Sequence, residues 1–462
     1  MMHRTVLFSS LLLAGLAACG DDGSNNNPVD APVVMPDTPQ GGSVIRLNDD
    51  ITADTTFQAK NTYVIPRLKQ LFVKTGATLT IEAGTVFQGE QGAVLVITRG
   101  SKIMAVGTAA KPIIMTTAQP TGQRTAGFWG GLLILGAAPI NTNVLANPSS
   151  TEATFEAFTS AIPEGKFGGT NAADNSGVLK YVQIQFAGFN FVADREFNNL
   201  TLCGVGTGTT IDFVQVHQGS DDGVEFFGGT VNVKHIVSSQ NQDDGFDTDN
   251  GWNGKGQFII VQNISHPATL PEATNGYESD NHGTATSYNA LPRTSPTIYN
   301  ATLIGDHPYT GVASYAAVFR RGTSGHYFNQ MFYGFPKGPE FRDAETLAQL
   351  TATPTPTLEI KNSMFFGNDA TPTNLPPPQA TGDIDESLYI NAANNDLLNV
   401  DPGLPAAALN KTAPSFKLSA SAAAMSGGAT PPNDGFFDTT ATFIGGMGTD
   451  DWTAGWTSYP QN

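Results

Sequence analysis

From Ala77 to Gly136, apolar residues alternate with polar ones in short runs broken by glycine: ATLTIEAGTVF, AVLVITRG, KIMAVGT, PIIMTT and WGGLLILG. A period of two, with no helical period, predicts strands of about four to six residues joined by tight turns. A polar segment, Ala137 to Ser176, interrupts the pattern and predicts at most a brief helix around Thr151 to Phe158. An insertion of that length in a solenoid sits on one face and covers a site. The alternation resumes from Val178 to about Gly367 in VLKYVQIQFAG, TIDFVQVHQG, VNVKHIVSSQ, GQFIIVQN, PTIYNATLIG, HYFNQMFYG and LEIKNSMFFG. Strands joined by turns too short for hairpins coil as a parallel β-helix. The shared alternation places Val182, Val214, Val237 and Ile260 at equivalent inward positions, and sends Gln183, Gln215 and His235 outward or into stacked polar rows. One short helix, Asp343 to Leu350, is predicted to interrupt the coils, with Asp343 as its cap.

Within this region one acidic pattern repeats. Asp221-Asp222-Gly223-Val224-Glu225 recurs 22 residues later as Asp243-Asp244-Gly245-Phe246-Asp247, and Asn275-Gly276-Tyr277-Glu278-Ser279-Asp280 is a partial third copy. Equivalent residues of successive coils lie about 4.7–4.9 Å apart. Glu225, Asp247 and Glu278 would then share one row, and Asp221, Asp222, Asp243 and Asp244 a second row at the preceding corner, with Asp249 and Asp280 nearby. Two bare carboxylates at that spacing repel by roughly 1 kcal/mol in water and by more when buried. Such a ladder must protonate, splay or bind a cation. Calcium, a hard ion that accepts oxygen ligands, suits Asp221, Asp222, Glu225, Asp243, Asp244, Asp247 and Glu278. The competing reading is that Asp and Asn only cap solenoid corners by bonding backbone amides.

The start of the chain reads as an export signal. His3 and Arg4 precede an apolar run from Val6 to Leu16, too short for a stable membrane span. Leu16-Ala17-Ala18-Cys19 then fits the lipobox at which a lipoprotein precursor is cut and its cysteine acylated. Residues 1–18 would be the signal and 19–43 a disordered tether rich in Asp, Asn, Pro and Gly. Gly20 after the cysteine favours outer-membrane delivery, with a surface-exposed body. The β-helix is assigned to 44–400, with its insertion at about 137–176, and a cap or tail to 401–462. Cys203 is the one cysteine besides Cys19, which leaves no internal disulfide and suits a core position. A formal charge of −18, one unit more negative once Arg4 leaves with the signal, excludes nucleic acid as a partner. Charged residues make up only 14% of the chain, against a usual fraction near 25%, which suits a turn-rich β protein.

Several apparent motifs dissolve on inspection. Cys203-Gly204-Val205-Gly206-Thr207-Gly208 has the look of a phosphate loop, yet Thr210 to Val214 continues as strand and offers no helix N-terminus. The seven histidines lack zinc-ligand spacing, no Gly-x-Ser-x-Gly elbow occurs, and the nine-residue calcium repeat is absent.

The stretches GATLTIEAGTVF, GSKIMAVGTAAKPIIMTT, FWGGLLILG, NSGVLKYVQIQFAG, GTTIDFVQVHQGSDDGVEFFGGTVNVKHIV, DDGFDTDNGWNGKGQF, NGYESDN and DGFFDTTATFIGGMGTDDWTAGW cover most of Gly76 to Trp456. Here the chain resembles a large bacterial group of secreted and lipid-anchored right-handed parallel β-helix proteins. The resemblance implies an all-β, single-stranded right-handed parallel β-helix with long surface loops and a C-terminal cap, in which Trp452 and Trp456 pack. It carries no agreed activity and no catalytic residue.

Acidic residues with Arg320 and Arg321 on a β-helix face resemble polysaccharide lyases, where calcium grips a uronate and a basic residue takes a proton. Paired carboxylates such as Asp243 and Asp244 resemble the β-helix pectin hydrolases, although their Gly-His-Gly and Arg-x-Lys elements are missing. The arginines could equally pair with the acidic row or with Glu340. Trp252, Tyr277 and Tyr288 are candidates for stacking on sugar rings, with Asp280 beside them; packing is the alternative. The expected function is binding or scaffolding at the cell surface, toward an extracellular glycan and with a cation-binding acidic ladder. A calcium-dependent lyase or glycoside hydrolase is one alternative, and an adhesin or matrix component the other.

Overall fold

A computed structural model describes residues 42–462 except 142–150, 160, 192–195, 265–273, 306–313, 369–374 and 376–383. The signal, Cys19 and nearly all of the tether lie outside the described residues. Every pairing inside a sixteen-stranded and a nine-stranded sheet is parallel, and the chain winds as the parallel β-helix that the alternation predicted, right-handed as the resemblance implied.

The first coils have three separate faces. Thr55–Phe57, Thr78–Ile81 and Lys102–Val106 stack on one, Thr62–Ile65, Val86–Gly89 and Ile113–Thr117 on the next, and Gln70–Val73, Val94–Ile97 and Leu132–Leu135 on the third. Gly177–Gln185 then joins the first two faces in one strand, pairing with Lys102–Val106 before Tyr181 and with Ile113–Thr117 after it. The joint is a residue in left-handed conformation, and it recurs in each later coil at Phe213, His235, Phe258, Asn300, Asn329 and Asn362, with φ between 52° and 60°. Such φ values are costly for bulky residues, and stacking offsets the strain. Tyr181, Phe213, His235 and Phe258 form a continuous pile, with ring centroids 4.5, 4.1 and 5.0 Å apart.

The kink sets the register. Val182, Val214, Ile236, Ile259 and Ala301 are the equivalent inward positions. Val237 and Ile260 instead align with Gln183 and Gln215 on the outer row, one residue from the expected place. Both are fully buried all the same, because the segment from 401 to 462 lies over that outer face. The outer residues are therefore apolar in some coils and polar in others, and Ile236-Val237 and Ile259-Ile260 hide their parity.

The covering segment has almost no regular structure of its own, so its backbone must bond to side chains. Gln215 meets Ser458 in both directions, donating to its carbonyl at 2.8 Å and accepting from its N–H at 2.9 Å. Asn300 donates to the Phe443 carbonyl at 2.7 Å, and Gln262 to that of Ala408 at 2.7 Å. Asn329 and Ala429 exchange a reciprocal pair. Trp456 is buried, and it packs edge-on against Tyr181 and Phe213.

In the insertion, Glu152–Thr154 is a strand, not the brief helix expected there; it pairs antiparallel with Lys166–Gly168. Ala153 and Phe155 bury at a strand's period of two, with Phe158, Phe167 and Phe197 gathered against them. The short helix appears as predicted, Ala344–Leu350, with the Asp343 carboxylate accepting the Thr346 N–H at 2.9 Å. Cys203 lies within the strand Leu200–Val205 and is buried.

His217 lies wholly buried between solenoid and covering segment, with Nε2 at 2.9 Å from the Pro460 carbonyl and Nδ1 at 2.9 Å from Ser239 Oγ. Burial lowers its pKa from 6.5 to about 4. A lowered histidine contributes stability that is complete above the unfolded value and is lost as pH falls from about 6.5 toward 4. His217→Gln keeps a donor and an acceptor without titrating. Its melting temperature should therefore converge on the wild type's as pH is lowered through that window, a relative shift worth about 3 kcal/mol at the acid limit. Parallel pH dependences for the two proteins would exclude this role.

Candidate functional site

The two motif glycines are what allow the acidic strands to stack so closely. A Cβ on Gly223 would lie 2.1 Å from Ser238 Oγ, and one on Gly245 would lie 2.2 Å from Val261 Cγ1. Past each glycine the chain enters the nine-stranded sheet, where Glu225 pairs with Asp247 and Asp247 with Glu278. Thr201 precedes this row and Val318 follows it, so three adjacent coils carry it.

At the corner before the sheet, Asp and Asn side chains cap backbone amides, as the capping reading has it. Asp222 Oδ1 accepts the Asp244 N–H at 2.9 Å, Asp244 Oδ1 the Asn275 N–H at 2.8 Å, and Asn275 Oδ1 the Tyr315 N–H at 3.0 Å. Asn198 begins the series by accepting the Asp222 N–H at 3.2 Å. Corner capping thus occupies one oxygen of each aspartate, and the second oxygen remains to face its neighbours.

The charges strain against one another. Burial, followed by Asp221, Asp247 and Asp243, pushes the Asp222 carboxyl far above the usual range; burial with Glu225 and Glu278 does the same to Asp247. Glu225 is raised by burial and by Glu156 of the insertion, and Asp221 by burial and by Glu196. Asp249 is pushed up to about 8 by burial and Asp280. Glu156 and Glu196 escaped sequence reasoning because neither belongs to the repeated motif; only the folded insertion and loop bring them here.

One end of the row is neutralised. Arg320 Nε donates to Asp280 at 2.9 Å and its Nη2 pairs with Glu278, while Arg321 Nη1 lies 2.6 Å from Asp280. Burial disfavours the Arg320 cation, but Glu278 and Asp280 outweigh it and its pKa ends raised. A guanidinium held in that way is unsuited to removing a proton, so Arg320 faces the acidic row as a counter-ion and not as a base. Glu340 takes Arg342 as its partner.

Two expected sugar platforms are not at the surface. Trp252 is fully buried, stacked on Phe226 at 4.1 Å, with Nε1 donating to the Val231 carbonyl. Tyr277 is also inside the coil, its hydroxyl donating to Gln330 Oε1 at 3.1 Å. Tyr277 begins its strand at inward parity and Trp252 lies in the turn between two strands, and both rings fill the solenoid. Asp280 is buried beneath the two arginines, and Tyr288 is half-buried.

On the outer face of the nine-stranded sheet, Phe72, Val94, Val96, Leu133 and Leu135 of the first coils lie under the phenylalanines of the insertion. The cover reaches Phe227, on the strand that carries Glu225. Residues 49–402 match the family described as a pectate-lyase-like beta helix domain. The chain belongs to this family. Searches of curated proteins and of solved structures found no match. Membership in the pectate-lyase-like beta helix family points to a role connected with polysaccharides.

The capping role is separable from charge. Asp244→Asn retains an acceptor for the Asn275 N–H and removes a repelling charge, so it should melt at or above wild type in chelator. Asp244→Ala leaves that amide unsatisfied and should be about 1–3 kcal/mol less stable than Asp244→Asn in denaturant titrations. Equal stability of the two variants would remove the cap.

Proposed function

We propose that this member of the pectate-lyase-like beta helix family is an exported lipoprotein, anchored through Cys19 to the outer membrane, which binds an extracellular glycan on the acidic outer face of its nine-stranded sheet. The observation that carries the reading is the row Glu225, Asp247 and Glu278 on adjacent parallel strands, beginning at the edge of the insertion. An extended polymer laid along the stack meets an oxygen acceptor at each coil, and sugar hydroxyls are donors suited to carboxylates. Binding or scaffolding is favoured over lyase chemistry because the nearest arginine is committed to Glu278 and Asp280. An adhesive or matrix role would overlap this reading and differ only in its partner.

The test is a glycan array probed with the mature chain, beside assays for new reducing ends and for unsaturated uronates. Binding should fall sharply in Glu225→Gln combined with Glu278→Gln, with no product released. Product formation would replace the binder with an enzyme, and a blank array would remove the glycan reading. For the anchor, a palmitate analogue should label the wild type, and Cys19→Ala should release the protein from membranes; equal membrane recovery of both would end the lipoprotein assignment.

A further inference from the structure

The two ends of the acidic row are not equivalent. Glu278 has Arg320, but among the described residues no ion pair reaches Asp222, Glu225 or Asp247. One oxygen from each of these three comes within 4.8 Å of the other two. Asp222 commits Oδ1 to the Asp244 N–H, and Glu225 Oε2 accepts from Asn198 Nδ2 at 2.5 Å. Asp247 is nine-tenths buried, and its Oδ1 has no hydrogen-bond partner. A buried carboxylate oxygen without a donor costs about 1–3 kcal/mol or more, and two further carboxylates beside it add repulsion. At Glu278 the Arg320 guanidinium forms a direct ion pair; among the described residues none does so at these three, and Arg320 acts on Asp247 only through space.

We propose that Asp222, Glu225 and Asp247 hold one calcium ion. All the donors are oxygens, which disfavours zinc and other metals that prefer nitrogen or sulfur. The three side chains project from fixed strand and corner positions in two adjacent coils, and calcium accepts irregular sets of six to eight oxygens where magnesium demands a near-ideal octahedron. Asp221 and Asp243 form a second close group with Asp222, so further oxygens stand beside the same ligand. The ion would tie coil to coil at the corner. Its use in holding a glycan rests on the reading above; the ion site itself does not.

The experiment is calcium titration of the chelator-stripped mature chain by calorimetry, with melting curves and terbium luminescence alongside. One binding event is expected, with a melting temperature that climbs with calcium concentration because the ion binds the folded state. Asp247→Asn and, independently, Glu225→Gln should each weaken binding by roughly tenfold or more, by loss of a charged ligand. Glu278→Gln should leave binding close to wild type, since Glu278 is held by Arg320. Melting of the stripped Asp247→Asn chain at or above the wild-type temperature establishes that it folds. No binding heat with an unchanged melting temperature, or full affinity in both ligand variants, overturns the site. Calcium binding with a blank array keeps the ion and sinks the glycan reading; glycan binding that ignores chelator, with no calcium heat, does the reverse.

Discussion

Parallel pairing in register forces each residue of one coil against its counterpart in the next, at a separation too small for unlike groups to avoid one another. Most of this protein's features are responses to that constraint. Inside the solenoid it favours stacks of Val, Ile, Leu and Phe, which like being next to their own kind. At the first four kinks, Tyr181, Phe213, His235 and Phe258, it sets one aromatic ring on another. At the corners an Asn or Asp side chain can reach the amide of the same position one coil later, as Asn198, Asp222, Asp244 and Asn275 do. The same geometry makes a carboxylate row expensive, because like charges cannot move apart without giving up the ladder.

How a coil handles its outward row differs from face to face. Over the sixteen-stranded sheet, glutamine and asparagine side chains stand where a neighbouring strand would be and satisfy the backbone of residues 401–462. Burying so many amides is tolerable because each has a partner in that segment. Over the early coils of the nine-stranded sheet, phenylalanines of the insertion supply an apolar cover. Between these two solutions lies the acidic row, compensated by arginine at the Glu278 end. Its corner aspartates satisfy backbone amides while their charges stay opposed.

Arg320 shows how the same residues sustain opposite functional readings until their partners are known. An arginine near acidic residues on a β-helix face is compatible with lyase chemistry when only the chain order is known. Once its Nε lies on Asp280 and its Nη2 on Glu278, it is a fixed charge. The aromatic candidates resolve by burial: Trp252 from a turn and Tyr277 from a strand point into the coil, where their area contributes to the core and offers nothing to a ligand.

Alternation of period two, the glycine-punctuated strand lengths and the matched Asp-Asp-Gly motifs determined the solenoid and the alignment of Glu225, Asp247 and Glu278, because local periodicity and coil stacking are all that these features require. The helix at Ala344–Leu350 was legible for the same local reason, its cap lying within its own first turn. Parity at Ile236-Val237 and Ile259-Ile260 was not, since burial under residues 401–462 makes both faces apolar. Nor was the strand at Glu152–Thr154, which exists through its pairing with Lys166–Gly168 and its phenylalanine cluster. The approach of Glu156 and Glu196 to the row, its neutralisation at one end only, and the unpartnered oxygen of Asp247 depend on contacts between residues distant in the chain. Tertiary structure alone decided them, because charge balance at a site is a sum over neighbours in space.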